Sequence, residues 1–280
     1  AGRGAQKAAV RSDSDDDFVQ QRRRYKSSKL TLADLHGDQL DAAIDPKWEN
    51  ENHRQSKRAL LSHYSKSFSK WLLYLVEGHS LLLYGYGSKK ILIEQFLQDG
   101  ISESFPVMEL KGYHPACNVK HLLNNITEQL LSYPGLSFPS LLVQCEFIVQ
   151  YFAVCQMQLQ QYPEAIGEYR TLTAYLKPRE WADMAAPEHF FIAIHNVEKV
   201  GGGGNLQTIL SMLAAVPQIH VIASMDHIFS PLIWDDLAKA RYNWVFLNTY
   251  TFQPYYDETQ FDHFFQKTSV SAEKPMLQAL

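Results

Sequence analysis

The segment "YGYGSKK", residues 84–90, sets two glycines, a serine and two lysines between an apolar run and an amphipathic one. That is the placement of a phosphate-binding loop, in which glycine N–H groups wrap the phosphates, a lysine meets the outer ones and a hydroxyl holds magnesium. The placement fits the G-x-x-x-x-G-K-[ST] pattern; the residue types do not. With Lys90 as the phosphate lysine, Lys89 stands in place of the second glycine, Ile91 in place of the hydroxyl and Tyr84 in place of the first glycine. With Lys89 in that role, Ser88, Lys90 and Leu83 are the misfits. Gly85, Gly87, Ser88, Lys89 and Lys90 therefore read as a degenerate phosphate loop.

Two further strand ends invite the same test. An NTP-hydrolysing enzyme needs an acid near the end of "FFIAIHNVEK" to orient magnesium, and this chain offers His195 and Asn196. A neutral imidazole and an amide do not replace carboxylates around a hard cation. Glu198 comes two residues too late and Asp183 lies before the strand, so this is a degenerate acidic site. In "VIASMDH", Ser224 stands where a phosphate sensor would, although a serine there more often caps a turn. Asp226 and His227 are neighbours on a turn, where adjacent side chains usually point apart.

Other chemistry is poorly supplied. There is no G-x-S-x-G elbow, no H-E-x-x-H pair and no Cys/His cluster. Cys117, Cys145 and Cys155 form an odd set without metal spacing and read as reduced thiols. "GGGG" at 201–204 has no lysine or hydroxyl at the needed spacing and reads as a flexible connection. No catalytic residue, metal or cofactor is expected.

The elements that would position these residues follow from periodicity. "ALLSHYSKSFSKWLLYLVEG" from Ala59 has apolar residues at helical spacing and Gly78 to stop it. The predicted strands are "SLLLY", "FPVMELKG", "FFIAIHNV", "IHVIAS" and "NWVFLNTY". Helices are predicted between them at "KKILIEQFLQD", "NVKHLLNNITEQLLSY", "NLQTILSMLAAV" and "PLIWDDLAKARY", with mostly helical character over 138–186. Apolar strands alternating with helices indicate an α/β fold, a parallel sheet covered on both faces. Asp235 and Asp236 begin a predicted helix, where acids suit the helix dipole.

Charge divides the chain. Residues 1–30 carry eight Lys/Arg against four Asp, which leaves the remainder 18 of the 26 basic and 26 of the 30 acidic residues. "SDSDDDF" followed by "QRRRYKSSK" has no core-forming period, so residues 1–58 are expected to be a largely disordered or extended arm. Its cluster Arg22, Arg23, Arg24, Lys26 and Lys29 suits DNA phosphates, an acidic partner or nuclear import, with a merely solvated tail as the plain alternative. The aromatic residues Tyr242, Trp244, Phe246, Phe252, Tyr255 and Tyr256 suit either a core around the last strand or a partner interface.

Taken together in order, "FSKWLLYLVEGHSLLLYGYGSKKILIEQFL", "LLNNITEQLL", "FFIAIHNVE", "IHVIASMDHIFSPLIWD" and "NWVFLNTYTFQPYYDET" closely resemble the family of origin recognition complex subunit two of eukaryotes, over about residues 60–266. The resemblance implies a RecA/AAA+-like α/β domain at 59–266, five parallel strands with flanking helices, its lid reduced or absent. Residues 267–280 would begin a linker toward the family's winged-helix domain. It also implies a nuclear, non-catalytic structural subunit of an assembly that binds replication origins. Its partners would be the other subunits, three most directly and also one, four and five, with DNA bound through the assembled complex and no membrane. Residues 151–186 are longer than the matching link in several relatives. An NTPase with an unorthodox site, using Lys90, Ser224 and an acid from a partner chain, stays open as the alternative.

Overall fold

The computed structural model describes residues 51–101, 105–200, 204–227 and 230–259. The arm's basic cluster, Gly201 to Gly203 and residues 267–280 lie outside them. Five strands form one sheet in the order β2-β3-β4-β1-β5: β1 (Ser80–Tyr84), β2 (Val107–Lys111), β3 (Phe190–His195), β4 (Ile219–Ser224) and β5 (Trp244–Asn248). All pairs are parallel. Leu81 faces Ile222 of β4 and Val245 of β5, and Ile192 faces Val221.

Period-two alternation divides the strand side chains between two cores. Leu82, Phe190, Ile192, Ile194, Ile219, Val221 and Ala223 join the larger one, with Phe147, Ile148, Tyr151 and Phe152 of α5 (Leu141–Gln156) and Ile209, Leu210 and Leu213 of α6 (Gly204–Ala214). Leu81, Leu83, Phe191, Ala193 and Ile222 join the smaller one. There they meet Phe68, Trp71 and Leu75 of α2 (Phe68–Val76) and Leu92 and Ile93 of α3 (Lys90–Gln95). The central strands β3 and β4 are buried along their whole length, as continuous apolar runs require. The edge strands differ from that expectation: Val107 of β2 and Phe246 of β5 are exposed, because each edge lacks a neighbour on one side.

The predicted single helix from Ala59 is two. Helix α1 runs over Glu51–Ser65, so residues 51–58, expected to belong to the arm, are helical. A turn in which Ser67 N–H donates to Tyr64 O at 2.8 Å separates α1 from α2. Helix α4 (Val119–Asn125) starts at Asn118, whose side chain accepts from Lys120 N–H at 2.8 Å. Both α3 and α4 continue into π-type turns, Phe96–Gly100 and Ile126–Leu130. After α5 the chain folds through the short helical segments Pro163–Ile166, Arg170–Tyr175 and Pro178–Trp181. Their buried Ile166, Leu172 and Trp181 extend the larger core, which accounts for the long link at 151–186. Helix α7 (Asp236–Tyr242) starts as its acids predict, with Asp235 accepting Ala238 N–H at 2.7 Å.

Candidate functional site: the loop after β1 and its partners

The carboxyl ends of β1, β3 and β4 are where sheets of this kind bind ligands. They bring together Gly85 to Lys90, His195, Asn196, Ser224 and, unanticipated, Asp226. Lys89 is the lysine that curls back over the loop. Its side chain is fully buried, and Nζ donates to Gly85 O and to Asp226 Oδ1. Lys90, which the first register puts in that role, points outward, 2.6 Å from Asp257 and 3.9 Å from Glu94. Its hydrogen bond to Asp257 raises the ammonium pKa despite partial desolvation.

The other groups that would serve a phosphate are also bonded within the chain. Ser88 Oγ donates to Glu258 Oε1. Gly87 N–H donates to the Tyr255 hydroxyl at 2.7 Å, and Ser88 N–H to Gln253 O at 3.0 Å. Tyr255 in turn donates to Asp226 at 3.3 Å, and burial first, then the Asp226 charge, pushes its pKa up to about 12. Thus the carboxylates of Asp226, Asp257 and Glu258 meet Lys89, Lys90 and Ser88.

The end of β3 is organised differently. Asn196 leaves the strand with φ 50°, a left-handed conformation that asparagine tolerates. Its N–H donates to Ser224 Oγ at 3.0 Å, and its amide Nδ2 donates to Asp226 Oδ2. Ser224 is therefore a turn-capping acceptor, and Asn196 helps hold Asp226. Glu198, too late for an acidic site, accepts the N–H groups of Asp226 and His227 at 3.0 and 3.3 Å. His195 is 1% exposed and neither ring nitrogen has a hydrogen-bond partner. Burial, helped by Lys111 and Lys90, lowers its pKa to about 4. The imidazole is neutral, so its 3.9 Å approach to Glu109 is not an ion pair.

Asp226, Asp257 and Glu258 escaped sequence reasoning. Asp226 was read as one of two turn residues pointing apart, and the other two lie far along the chain. The aromatic set divides: Tyr242 is fully buried and stacked on Trp244 at 4.4 Å, whereas Phe246, Phe252 and Tyr256 are more than half exposed. Among the described residues no group of three His, Cys, Asp or Glu side chains can hold a metal ion. None of the helices there is long and apolar enough to cross a membrane.

Comparison with known proteins agrees with this architecture. Residues 56–249 match the family described as the origin recognition complex subunit 2 RecA-like domain. Origin recognition complex subunit 2 of Mus musculus is 33% identical over 205 residues, covering 73% of this chain and 30% of that protein. The subunit 2 of Homo sapiens is 30% identical over 249 residues, covering 89% and 36%. This chain thus spans about a third of the length of those relatives. A chain in the structure of Drosophila ORC bound to AT-rich DNA and Cdc6 superposes with a TM-score of 0.61 at 28% identity, over 83% of this chain and 70% of that one. The chain belongs to the origin recognition complex subunit 2 family and contains its RecA-like domain.

Proposed function

We propose that this chain is a non-catalytic structural subunit of a nuclear origin recognition complex, helping to assemble the complex that binds replication origins and initiates DNA replication. The observation that carries the reading is the filled loop. Lys89, the lysine a triphosphate would need, and its neighbour Ser88 are buried and bonded to Asp226 and Glu258. A bound nucleotide would have to displace those carboxylates or lie against their charge. Partners would be the other subunits, three most directly and also one, four and five. The exposed Phe246, Phe252 and Tyr256 supply the aromatic surface that interfaces favour. The Drosophila relative was solved in ORC bound to DNA, which supports DNA contact through the assembly.

Reconstitution tests this. An assembly lacking the chain should lose origin-DNA binding, and adding back either the unaltered chain or Lys90→Ala should restore DNA binding and ATP hydrolysis equally. DNA binding restored by Lys90→Ala without ATP hydrolysis would overturn the reading.

The basic cluster Arg22, Arg23, Arg24, Lys26 and Lys29 is assigned, within the same proposal, to DNA phosphates. Each neutralised phosphate adds about 0.9 to the log–log salt slope of binding. Replacing all five by alanine should flatten the slope of the assembled complex by roughly two to four units. Affinity should fall similarly on every sequence, since phosphate contacts do not read bases. An unchanged slope would leave partner binding or import as the arm's role.

A further inference from the structure

The segment that follows β5 extends the pairing of β1 with β5 past the end of the sheet. Thr249 N–H donates to Tyr84 O at 2.7 Å, Thr251 N–H to Tyr86 O at 3.0 Å, and Ser88 N–H returns a bond to Gln253 O at 3.0 Å. Thr251 Oγ1 donates to Ser88 O at 2.6 Å. From the other side, the Tyr64 hydroxyl of α1 accepts Tyr250 N–H at 3.0 Å. Thr249 and Thr251 are both buried by this arrangement.

The loop glycines make sense against that segment. A Cβ at Gly85 (φ +125°) would lie 2.9 Å from Thr249 O. At Gly87 (φ +98°) it would collide with the Phe252 amide and lie 2.8 Å from Gln253 N. In a phosphate loop, glycine lets the backbone approach phosphate oxygens. Here it lets one peptide segment lie against another. Beyond Pro254 the side chains complete the contact. Tyr255 takes the Gly87 N–H, Asp257 takes Lys90 and Glu258, only 5% exposed, takes Ser88. Lys199, after β3, donates to the Glu258 carbonyl at 3.0 Å.

We propose that the eroded loop is a binding site whose ligand is this chain's own acidic, aromatic segment 249–259, a latch that fixes the path of the chain as it leaves β5. Each loop residue helps hold the segment: Gly85 and Gly87 by close approach, Ser88 and Lys90 through its carboxylates, and Lys89 by anchoring Asp226 beneath Tyr255. The raised pKa of Lys90 accords with a bonded rather than a solvated ammonium. The latch rests on the reading of the loop as non-catalytic, and the two are separable by experiment.

Hydrogen exchange of the full chain, followed by mass spectrometry, reads the latch directly. In Gly87→Val the amides of 249–259 should exchange about tenfold or more faster, while those of β3 and β4 keep their protection. Should that variant lose protection throughout, Asp257→Asn with Glu258→Gln gives the decisive reading. This pair removes two charges from the single-turn helix Tyr256–Thr259 and should accelerate the same amides severalfold without disturbing the sheet. Unchanged exchange of 249–259 in a folded variant would overturn the latch. Adding ATP with magnesium to the unaltered chain should leave these amides as they are. If it freed the segment, the latch would stand and the non-catalytic reading would fall.

Discussion

The loop after β1 and the end of β3 treat their polar groups in opposite ways. In the loop, the polar groups of Gly87, Ser88 and Lys89 are met by hydroxyl, carboxylate and carbonyl groups of the same chain. The end of β3 holds no acid, and its buried imidazole has no hydrogen-bond partner. One site meets its polar groups with carboxylates of the same chain; the other buries an imidazole without a hydrogen-bond partner. Substitutions at the two should therefore differ in size and in pH dependence.

Lys89→Ala should have the largest effect. The substitution removes a buried ammonium from Asp226, which is itself partly exposed and keeps its bonds from Asn196 and Tyr255, so the cost is on the order of 1–3 kcal/mol. A denaturant titration with unchanged slope and a lower midpoint would show it. Lys90, whose pair with Asp257 is partly exposed, should give about 1 kcal/mol or less on the same substitution. Equal losses for the two lysines would remove the distinction between an anchor inside the loop and a latch contact on its surface.

His195 should show itself only in acid. Its pKa is near 4 in the fold and near 6.5 when unfolded, so between those values the unfolded chain binds more protons. Its contribution is full above pH 6.5 and is lost as pH falls through about 4, amounting to about 3 kcal/mol. His220, also lowered to about 4 by burial, acts in the same direction. His195→Leu should accordingly be near neutral at pH 7, since it removes two unbonded nitrogens, and should flatten the acid side of the stability profile by about half. A profile unchanged by the substitution would mean that His195 is solvated or bonded.

The sheet was legible because β3 and β4 are buried on both faces and so read as unbroken apolar runs. The break between α1 and α2 was not, because the apolar period continues through residues 60–76 while a single backbone bond at Ser67 ends the first helix. Of the site, the glycines, Ser88 and the lysines could be found from local spacing. Their partners could not: Asp226 lies 137 positions from Lys89 and Glu258 lies 170 from Ser88, and nothing local marks either pairing. Choosing between Lys89 and Lys90 likewise needed the fold, since adjacent lysines differ only in which side of the turn they leave.

A loop filled by its own chain, as proposed, leaves no place for a nucleotide. Titrating the purified chain with ATP and with ADP, with and without magnesium, by calorimetry tests it most directly. No saturable heat is expected under any of the four conditions, and the same null result for Lys90→Ala. Saturable, magnesium-dependent binding that Lys89→Ala or Lys90→Ala abolishes in a folded chain would contradict it.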